Sequence, residues 1–416
     1  MLKRSQSSVG PSLRRLCTHL LLAVAGCTLS CAEPARDTDG IAVGLLLPFS
    51  GRAAGMAANF ERAAIYAVER VNAAGGIRGQ RLRLVGADTH SDPARSIASA
   101  QYLIDAGVVA VLGVESADIA AEVEPMFFAH DIAMISPFVG TADDTTVSCD
   151  HQWLRLAPSA RSLGEALAKE LSAERVRSVA VISDTDAYSQ AFGDAVGARF
   201  VSLGGSVALR VDVDPTRMSY APVLQQIVDT GVTEIVLATS ASTASLIVNE
   251  SKVSFSTPLN WYLSPLLKTR LFLQNVFPGS LDGAKGVAPR LFEKDGAFAH
   301  AFQQRWPRDP ALEGAYFYYD AVALVAYALE ATGADAPDAQ LREKFKSALV
   351  VAATQRGTPT GWDEIEQGLA MLEARRPAYY AGGTGPLVFD KCGLRKLGAS
   401  SAWVVKRGLI VNDSAP

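Results

Sequence analysis

From Ile41 onward, short apolar runs alternate with longer stretches in which apolar and polar positions recur with a helical period. The run at 41–47 (IAVGLLL) has no polar position, which is typical of a strand buried on both faces of a parallel sheet. The stretch at 54–73 has the helical period, and the pair Gly75 and Gly76 predicts where that helix ends. The folded body is therefore predicted to begin with a strand followed by a helix.

This strand-and-helix unit repeats along the chain. The segment RLRLVGAD at 81–88 predicts the next strand, Asp92 fits the N-cap of the following helix, and Pro93 fits its first turn. That helix is expected to run to Gly107. Further apolar runs predict more strands, with helices between most of them: VVAVLGV, IAMISP, SVAVISD, SVALRVDV, TEIVLAT and NWYLS. The alternation predicts an α/β fold with parallel sheets.

Part of the pattern occurs twice. Residues 103–117 (LIDAGVVAVLGVESA) align without gaps with residues 227–241 (IVDTGVTEIVLATSA), at a constant offset of 124. The match predicts two similar parallel-sheet units. It pairs Ser116 with Ser240, and both directly follow predicted strands. Because open α/β sheets bind ligands beyond the carboxyl ends of their strands, these serines and the nearby Ser242 are candidates either for ligand contacts or for helix caps.

The composition is that of an ordinary globular protein. Of the 416 residues, 49% are hydrophobic and 20% are charged, which excludes disordered, collagenous and coiled-coil structures. At about 150 residues per domain, the length predicts two or three domains. Lys and Arg number 39 against 43 Asp and Glu, and no basic run occurs beyond the extreme N-terminus. No nucleic-acid partner is therefore predicted.

Residues 1–26 have the features of an export signal. Four basic residues and no acidic one precede an apolar stretch of eleven residues. As a helix this stretch rises about 16 Å, roughly half the thickness of a bilayer core, so a permanent membrane span is not predicted. The sequence VAGC ending at Cys27 resembles a bacterial lipobox, which implies that Cys27 carries a lipid; the alternative is an ordinary signal peptide. We expect a lipidated tether at 27–40 and a periplasmic protein anchored to a bacterial membrane.

Common catalytic signatures do not occur in the sequence. It has no P-loop, no G-x-S-x-G motif, no H-E-x-x-H motif and no C-x-x-C motif, and its five histidines never lie within five residues of one another. We therefore predict that the protein is not an enzyme and uses no cofactor or metal. The thiols of the predicted folded body are Cys149 and Cys392, which either form a disulfide or stay separate.

Eight segments occur in a characteristic order between about 41 and 410: IAVGLLLPFSG, VNAAGGIRGQRLRLVGADTHSDP, VAVLGVES, IAMISP, LRLAPS, VAVISDTDAY, YDAVALVAYAL and GTGPLVFD. In these segments the chain resembles the periplasmic leucine/isoleucine/valine-binding protein family. The resemblance implies a type I periplasmic-binding fold, in which two Rossmann-like lobes with parallel sheets are joined by a three-crossing hinge. It places the first lobe at 41–157 plus 288–357, and the second at 158–287 plus 358–416.

The resemblance also implies a function. Proteins of this family close like a Venus flytrap on a small solute between the lobes and deliver it to an ABC permease in the inner membrane. Contacts to both lobes exist only in the closed form, so a ligand shifts the equilibrium toward that form. We expect a solute-binding protein for a small carboxylate or amino-acid-like ligand. The alternative is a periplasmic sensor or structural lipoprotein of the same fold, recognised by another protein.

Several ligand contacts implied by the resemblance depart from the family's pattern. The serine that holds the ligand carboxylate falls at Ala117, with Ser116 adjacent. The threonine of the next loop falls at Gly140, with Thr141 adjacent. A shift of one residue in the alignment would restore both of these hydroxyl contacts, at Ser116 and at Thr141. The aromatic residue of the family's pattern is kept at Tyr188.

The two remaining implied contacts fall at Phe138 and Leu266. At the latter position the family has an acid that pairs with the ligand ammonium, but no carboxylate is near Leu266 in this sequence. Because a buried ammonium without a partner is costly, we expect a ligand that lacks one, such as an aromatic or aliphatic carboxylate. Phe138, Tyr188 and Leu266 would then line an apolar pocket. The alternative is an acid from elsewhere in the chain: Glu115, Asp118, Asp184 or Asp186.

Overall fold

The computed structural model describes residues 40–412, apart from 52, 138–152, 256–257, 293–295, 308–312, 333–338, 354–355, 390–392, 394 and 396–399. The predicted signal and nearly all of the predicted tether lie outside this range. So do the following predicted residues: Cys27, Phe138, Gly140, Thr141, Cys149 and Cys392. Gly40–Pro416 form one compact unit.

Strands and helices alternate over most of the described range. The strands are β1 (Ile41–Leu47), β2 (Leu82–Asp88), β3 (Ala110–Leu112), β4 (Ala133–Ser136), β5 (Trp153–Arg155), β6 (Ser178–Asp184), β7 (Ser206–Val213), β8 (Glu234–Ala238), β9 (Asn260–Leu263), β10 (Lys285–Pro289), β11 (Thr358–Thr360), β12 (Ala378–Gly382), β13 (Gly385–Pro386), β14 (Ser400–Lys406) and β15 (Leu409–Asn412).

The helices are α1 (Ala54–Ala73), α2 (Pro93–Asp105), α3 (Ala117–Ala129), α4 (Ala160–Ala173), α5 (Ala187–Ser202), α6 (Ala221–Thr230), α7 (Ala241–Ser254), α8 (Arg270–Gln274), α9 (Ala297–Arg305), α10 (Glu313–Thr332), α11 (Ala339–Ala352) and α12 (Ile365–Glu373). A 3-10 turn lies at Pro265–Leu267. None of the helices that the structure describes is both long enough and apolar enough to cross a membrane.

Several helices begin at a side chain that caps them. Asp92, Ser159 and Asp186 precede α2, α4 and α5, and each accepts a hydrogen bond from the backbone N–H three residues further on. These bonds satisfy N–H groups that have no partner within the helix. The predicted roles of Asp92 and Pro93 are thereby confirmed. The helix α2 ends at Asp105, just before the predicted stop at Gly107, which has a left-handed φ of 69°.

The two large sheets share one strand order. The first is β2-β1-β3-β4-β5, and all of its strands are parallel. The second contains β7-β6-β8-β9-β10, also parallel and in the same order. The strand β1 therefore corresponds to β6, and β3 corresponds to β8. The internal sequence match at 103–117 and 227–241 does mark two similar parallel units, as predicted.

The second sheet also carries an antiparallel extension that the sequence pattern did not predict. The strand β14 pairs antiparallel with β10, and β15 pairs antiparallel with β14, so the sheet has seven strands. Arg407 and Gly408 form the two-residue turn between them, and both have positive φ, 52° and 71°. Such turns match the twist of an antiparallel hairpin, which accounts for the pairing of β15 with β14.

Helices cover both faces of each sheet. On the first sheet, α1, α10 and α12 bury one face and α2 and α3 bury the other. On the second sheet, α4 and α5 lie on one face and α6 and α7 on the other. From Ala315 to Leu329, α10 is buried on all sides, so it is the centre of the core of the first lobe. This layering is typical of parallel α/β sheets.

The chain passes between the two sheets three times, after β5, after β10 and after β13. The residues between the second and third passages pack with the first sheet, since Ile365, Leu369 and Tyr380 are buried in the core that contains α1 and α10. The resemblance placed 358–416 in the second lobe. Within that range, β14 and β15 join the second sheet, whereas Ile365, Leu369 and Tyr380 pack with the first sheet. The residue boundaries of the lobes otherwise stay predictions.

Candidate functional site

Each large sheet has a topological switch point. The helix α1 follows β1 and α3 follows β3, and these helices pack on opposite faces of the first sheet. In the same way, α5 follows β6 and α7 follows β8, on opposite faces of the second sheet. The reversal leaves a crevice beyond the carboxyl ends of the two strands, where open α/β sheets bind ligands. The ends of β1, β3, β6 and β8 therefore define the candidate site.

In the first sheet, Ser116 immediately precedes α3, the helix that follows β3. Its hydroxyl accepts a hydrogen bond from Ile119 N at 3.3 Å, so Ser116 is the N-cap, and Ala117 is the first residue of the helix. Ser116 is half-buried, and its hydroxyl group can still donate its proton. The N–H groups of the first turn and the helix dipole favour an anionic group at this position.

An acidic residue lies next to this helix end. Glu115 accepts a hydrogen bond from Thr89 Oγ1 at 2.7 Å, and Thr89 belongs to the loop after β2. Because β1 lies between β2 and β3, this bond spans the end of β1. Burial raises the pKa of the Tyr318 hydroxyl, and the charge of Glu115 raises it further. A ligand at this edge of the sheet therefore meets a helix N-terminus that favours anions and a carboxylate beside it.

In the second sheet, Asp184 ends β6 and joins it to the neighbouring loop. It is 3% exposed, and its Oδ2 accepts hydrogen bonds from Ser240 N at 2.8 Å and from Thr243 Oγ1 at 3.4 Å. Its Oδ1 is buried and has no hydrogen-bond partner among the residues that the structure describes. Burial raises the pKa of Asp184, against the lowering effect of the bonds from Ser240 and Thr243. Asp184 thus fixes the loop after β8 to the end of β6.

Three hydroxyl groups cluster at the start of α7. Ser240 is the N-cap, and its Oγ accepts from Thr243 N at 3.4 Å. The same Oγ lies 3.1 Å from Ser242 Oγ and 3.0 Å from Thr243 Oγ1. Ser242 is exposed, whereas Thr243 is fully buried. The predicted equivalence of Ser116 and Ser240 holds in the structure, because both cap the helix after the corresponding central strand.

Tyr188 and Leu266 border the same edge of the second sheet. Tyr188 is the second residue of α5, is half-buried, and packs against the core between that helix and the sheet. Leu266 is half-buried in the 3-10 turn that follows β9. Neither Ser189 nor Ser264, both buried, has a hydrogen-bond partner for its hydroxyl among the described side chains and backbone. These two serines were not predicted as site residues, although Ser264 ends the predicted strand NWYLS and Ser189 follows the predicted strand SVAVISD.

A separate polar cluster lies at the outer edge of the first sheet. Ser50 Oγ donates to Asp88 Oδ2 at 2.6 Å and lies 2.8 Å from His90 Nδ1. His90 Nδ1 also lies 3.0 Å from Asp88 Oδ2, so the imidazole does not stand between the serine and the carboxylate as a catalytic triad requires. A surface pocket of about 390 Å³ lies beside it and includes Arg95 and Tyr102. The cluster joins the loops after β1 and β2.

A family model and individual known sequences that resemble this chain all belong to periplasmic or amino-acid-binding proteins. A family model described as periplasmic binding protein matches residues 40–364. A Leu/Ile/Val-binding protein homologue of Brucella melitensis is 27% identical over 41% of this chain and 46% of its own length. A Pseudomonas aeruginosa protein that binds leucine, isoleucine, valine, threonine and alanine is 23% identical over 79% of this chain and 87% of its own. The chain spans about half the length of the first of these relatives.

Solved structures share the fold. A leucine-binding protein of Thermotoga maritima matches with a TM-score of 0.73 and 16% identity, over 90% of this chain and 98% of its own. An R. palustris solute-binding protein in complex with benzoate gives 0.72 and 17%, over 90% and 95%. A Streptococcus pneumoniae branched-chain amino acid transporter substrate-binding protein in complex with isoleucine gives 0.72 and 18%, over 90% and 99%. Because the family model covers most of its length, this chain belongs to the periplasmic binding protein family, as its resemblance to the leucine/isoleucine/valine-binding members predicted.

Proposed function

We propose that this protein is an exported solute-binding protein that closes on a small carboxylate-containing ligand and delivers it to an ABC permease. The observation that carries the proposal is the pair of helix N-termini at equivalent switch points, capped by Ser116 in one sheet and Ser240 in the other. Each offers backbone N–H groups and a hydroxyl to an anionic group. Membership of the periplasmic binding protein family supports the same function.

The partners and location belong to this proposal. A solved relative is itself described as a transporter substrate-binding protein, which supports a permease in the inner membrane as the receiving partner. We further propose that residues 1–26 are removed on export and that Cys27 carries the lipid anchor. Deletion of the gene should then abolish uptake of the ligand by whole cells. A sensor of the same fold would instead leave uptake unchanged.

We propose that the preferred ligand lacks an ammonium group. Half-buried Tyr188 and Leu266 present apolar surface at the edge of the second sheet, and the loop of Leu266 supplies no acid. Asp184 has a carboxylate at this edge, but both of its oxygens are almost closed to solvent and one holds the Ser240 loop. The benzoate complex of one structural relative shows that the fold accommodates an aromatic carboxylate.

Ligand-dependent melting tests this proposal. A chain of residues 28–416 omits the predicted signal and lipid site and keeps the whole compact unit. A ligand at a hundred times its Kd adds about 2.7 kcal/mol to the free energy of unfolding and raises the melting temperature. We expect a larger shift with benzoate than with leucine, and none with benzamide, which has the same ring without the carboxylate. A larger shift with leucine that Tyr188→Ala abolishes would contradict the proposed ligand class.

A further inference from the structure

The three passages of chain between the lobes are bonded to one another near Gly383. At the last residue of β5, where the first passage starts, Arg155 N donates to Gly393 O at 3.0 Å. In the second, after β10, Phe292 N donates to Gly383 O at 2.8 Å. Gly393 lies in the third passage, whereas Gly383 lies in the turn between β12 and β13 that precedes it. We call the described residues from this turn into the third passage, 383–389, 393 and 395, the hinge segment; they bond to both of the other passages.

Arg395 strengthens this connection from within the hinge segment. Its Nη1 donates to Leu156 O at 2.9 Å, directly after β5 where the first passage starts. Its Nη2 donates to Thr384 O at the other end of the hinge segment. A guanidinium group presents several donors in one rigid plane, so it can bind two carbonyl groups at fixed positions. Arg395 thus fixes the first passage relative to the third.

Asp320 attaches the hinge segment to the first lobe. It lies on α10, the buried central helix, and is 1% exposed. Its Oδ1 accepts hydrogen bonds from Tyr380 Oη at 2.6 Å and Gly383 N at 3.1 Å. Its Oδ2 accepts from Thr384 N at 2.8 Å and from Thr384 Oγ1 at 2.6 Å. Four donors therefore converge on one buried carboxylate, and two of them are backbone groups of the hinge segment.

The backbone of β12 passes so close to this carboxylate that Gly382 has no room for a side chain. A Cβ atom at Gly382 would lie 2.3 Å from Asp320 Oδ1, so a side chain does not fit at that position. Burial raises the pKa of Asp320, while the bonds from Thr384 and Tyr380 and the charge of Arg395 lower it. Burial lowers the pKa of Arg395 to about 10, against the effect of Asp320, so the guanidinium stays charged at neutral pH.

We propose that Asp320 and Arg395 are positioning residues for lobe closure, which hold all three passages on the first lobe and thereby set the equilibrium between open and closed forms. This inference rests on the proposed two-lobe closure. A ligand binds through the closed form, so its apparent affinity depends on how often that form is populated. Asp320 therefore affects affinity although it is buried on α10 in the core of the first lobe.

Two variants test the role of Asp320 on the chain of residues 28–416. Asp320→Asn keeps the shape of the side chain but turns one acceptor into a donor that faces other donors. Tyr380→Phe is milder, because it removes one of the four hydrogen bonds and keeps the carboxylate. Thr360→Val is the matched control. It removes the hydroxyl of Thr360 on β11, which bonds to Tyr327 Oη of α10 at 2.7 Å and to Tyr379 O of β12 at 3.2 Å, and it leaves the four bonds of Asp320 in place.

The readouts separate positioning from stability. Small-angle scattering of the ligand-free proteins gives the radius of gyration, and calorimetric titration gives the affinity for benzoate and for leucine. We expect Asp320→Asn and Tyr380→Phe to change the radius of gyration and to change the affinity for every probe that binds by about fivefold or more, in the same direction. We expect Thr360→Val to lower the melting temperature and leave both readouts unchanged.

Two outcomes would overturn the inference: hinge variants that match the wild type in both readouts, or a Thr360→Val variant that shifts them as much as Asp320→Asn does. If Asp320→Asn does not fold, Tyr380→Phe alone decides. If no probe binds the wild type, the proposed ligand class fails, but the scattering of the ligand-free proteins still decides the role of Asp320. The two proposals can therefore fail separately.

Discussion

Replacing Asp184 by asparagine tests whether this residue holds a loop or binds the ligand. Asp184 accepts the backbone N–H of Ser240 at 2.8 Å, and an asparagine oxygen can accept the same bond. The change also removes a buried charge, whose cost is reflected in the raised pKa of Asp184. We therefore expect Asp184→Asn to change the free energy of unfolding by less than about 1 kcal/mol. Asp184→Ala leaves Ser240 N without its acceptor and should cost about 1–3 kcal/mol.

The effect on binding separates the two roles. If Asp184 only positions the Ser240 loop, Asp184→Asn should keep the affinity for benzoate within about threefold, which is well under 1 kcal/mol. If Asp184 pairs with a ligand ammonium, the same variant should cost about 2–5 kcal/mol in the binding of leucine or another amino acid. We expect the first result, because Asp184 Oδ1 is closed to solvent.

Urea unfolding measures the free energy of unfolding, and calorimetric titration with benzoate and leucine measures binding. Asp186→Asn is the matched control, because Asp186 is an exposed acid two residues away that caps α5 through Ser189 N at 3.0 Å. It should cost about 1 kcal/mol or less of stability and leave binding unchanged. A loss of amino-acid binding of thirtyfold or more in Asp184→Asn, absent in Asp186→Asn, would refute the positioning role.

Three further predictions follow from individual residues. Ser116→Ala should lower the free energy of unfolding by about 1 kcal/mol through loss of the α3 cap and weaken carboxylate binding, whereas Ser116→Asn should restore the stability; equal carboxylate affinity in all three proteins would make Ser116 a cap alone. Cys27→Ser should move the protein from the membrane fraction to the soluble periplasmic fraction, and a soluble wild type would contradict lipidation. Burial acts to raise the pKa of Asp88, but bonds from Ser50 and His90 outweigh it, so the pKa is lowered. Stability from the Ser50 bond is therefore present above the ordinary Asp pKa and is lost as the pH falls through the lowered value. The cost of Ser50→Ala in urea unfolding, roughly 0.5 kcal/mol at pH 7, should shrink toward pH 3, and a constant cost would contradict this.

Elements that depend on local chemistry were predictable from the sequence. The bounds of β1 and α1 match the prediction because an uninterrupted apolar run and a glycine pair are local signals. The internal match located β3 and β8, since similar units need similar strands and turns. The antiparallel hairpin of β14 and β15 was not predicted, because its place in the sheet is set by pairing with β10, more than a hundred residues earlier. Pairing over that distance has no local sequence pattern.

The same distinction applies to the candidate site. Ser116 and Ser240 were predictable because a serine after a strand and before a helix satisfies a local need for a cap, and the sheet then brings the cap to the ligand-binding edge. Asp184 was predictable only as an available acid. Its bond to Ser240 joins residues 56 positions apart and depends on β6 and β8 being neighbours. Because these strands are neighbours, Asp184, which the sequence offers as a possible partner for the ligand, instead holds the loop of Ser240. Strand order therefore has to be known before a polar residue at a strand end can be assigned either to ligand binding or to stabilising the fold.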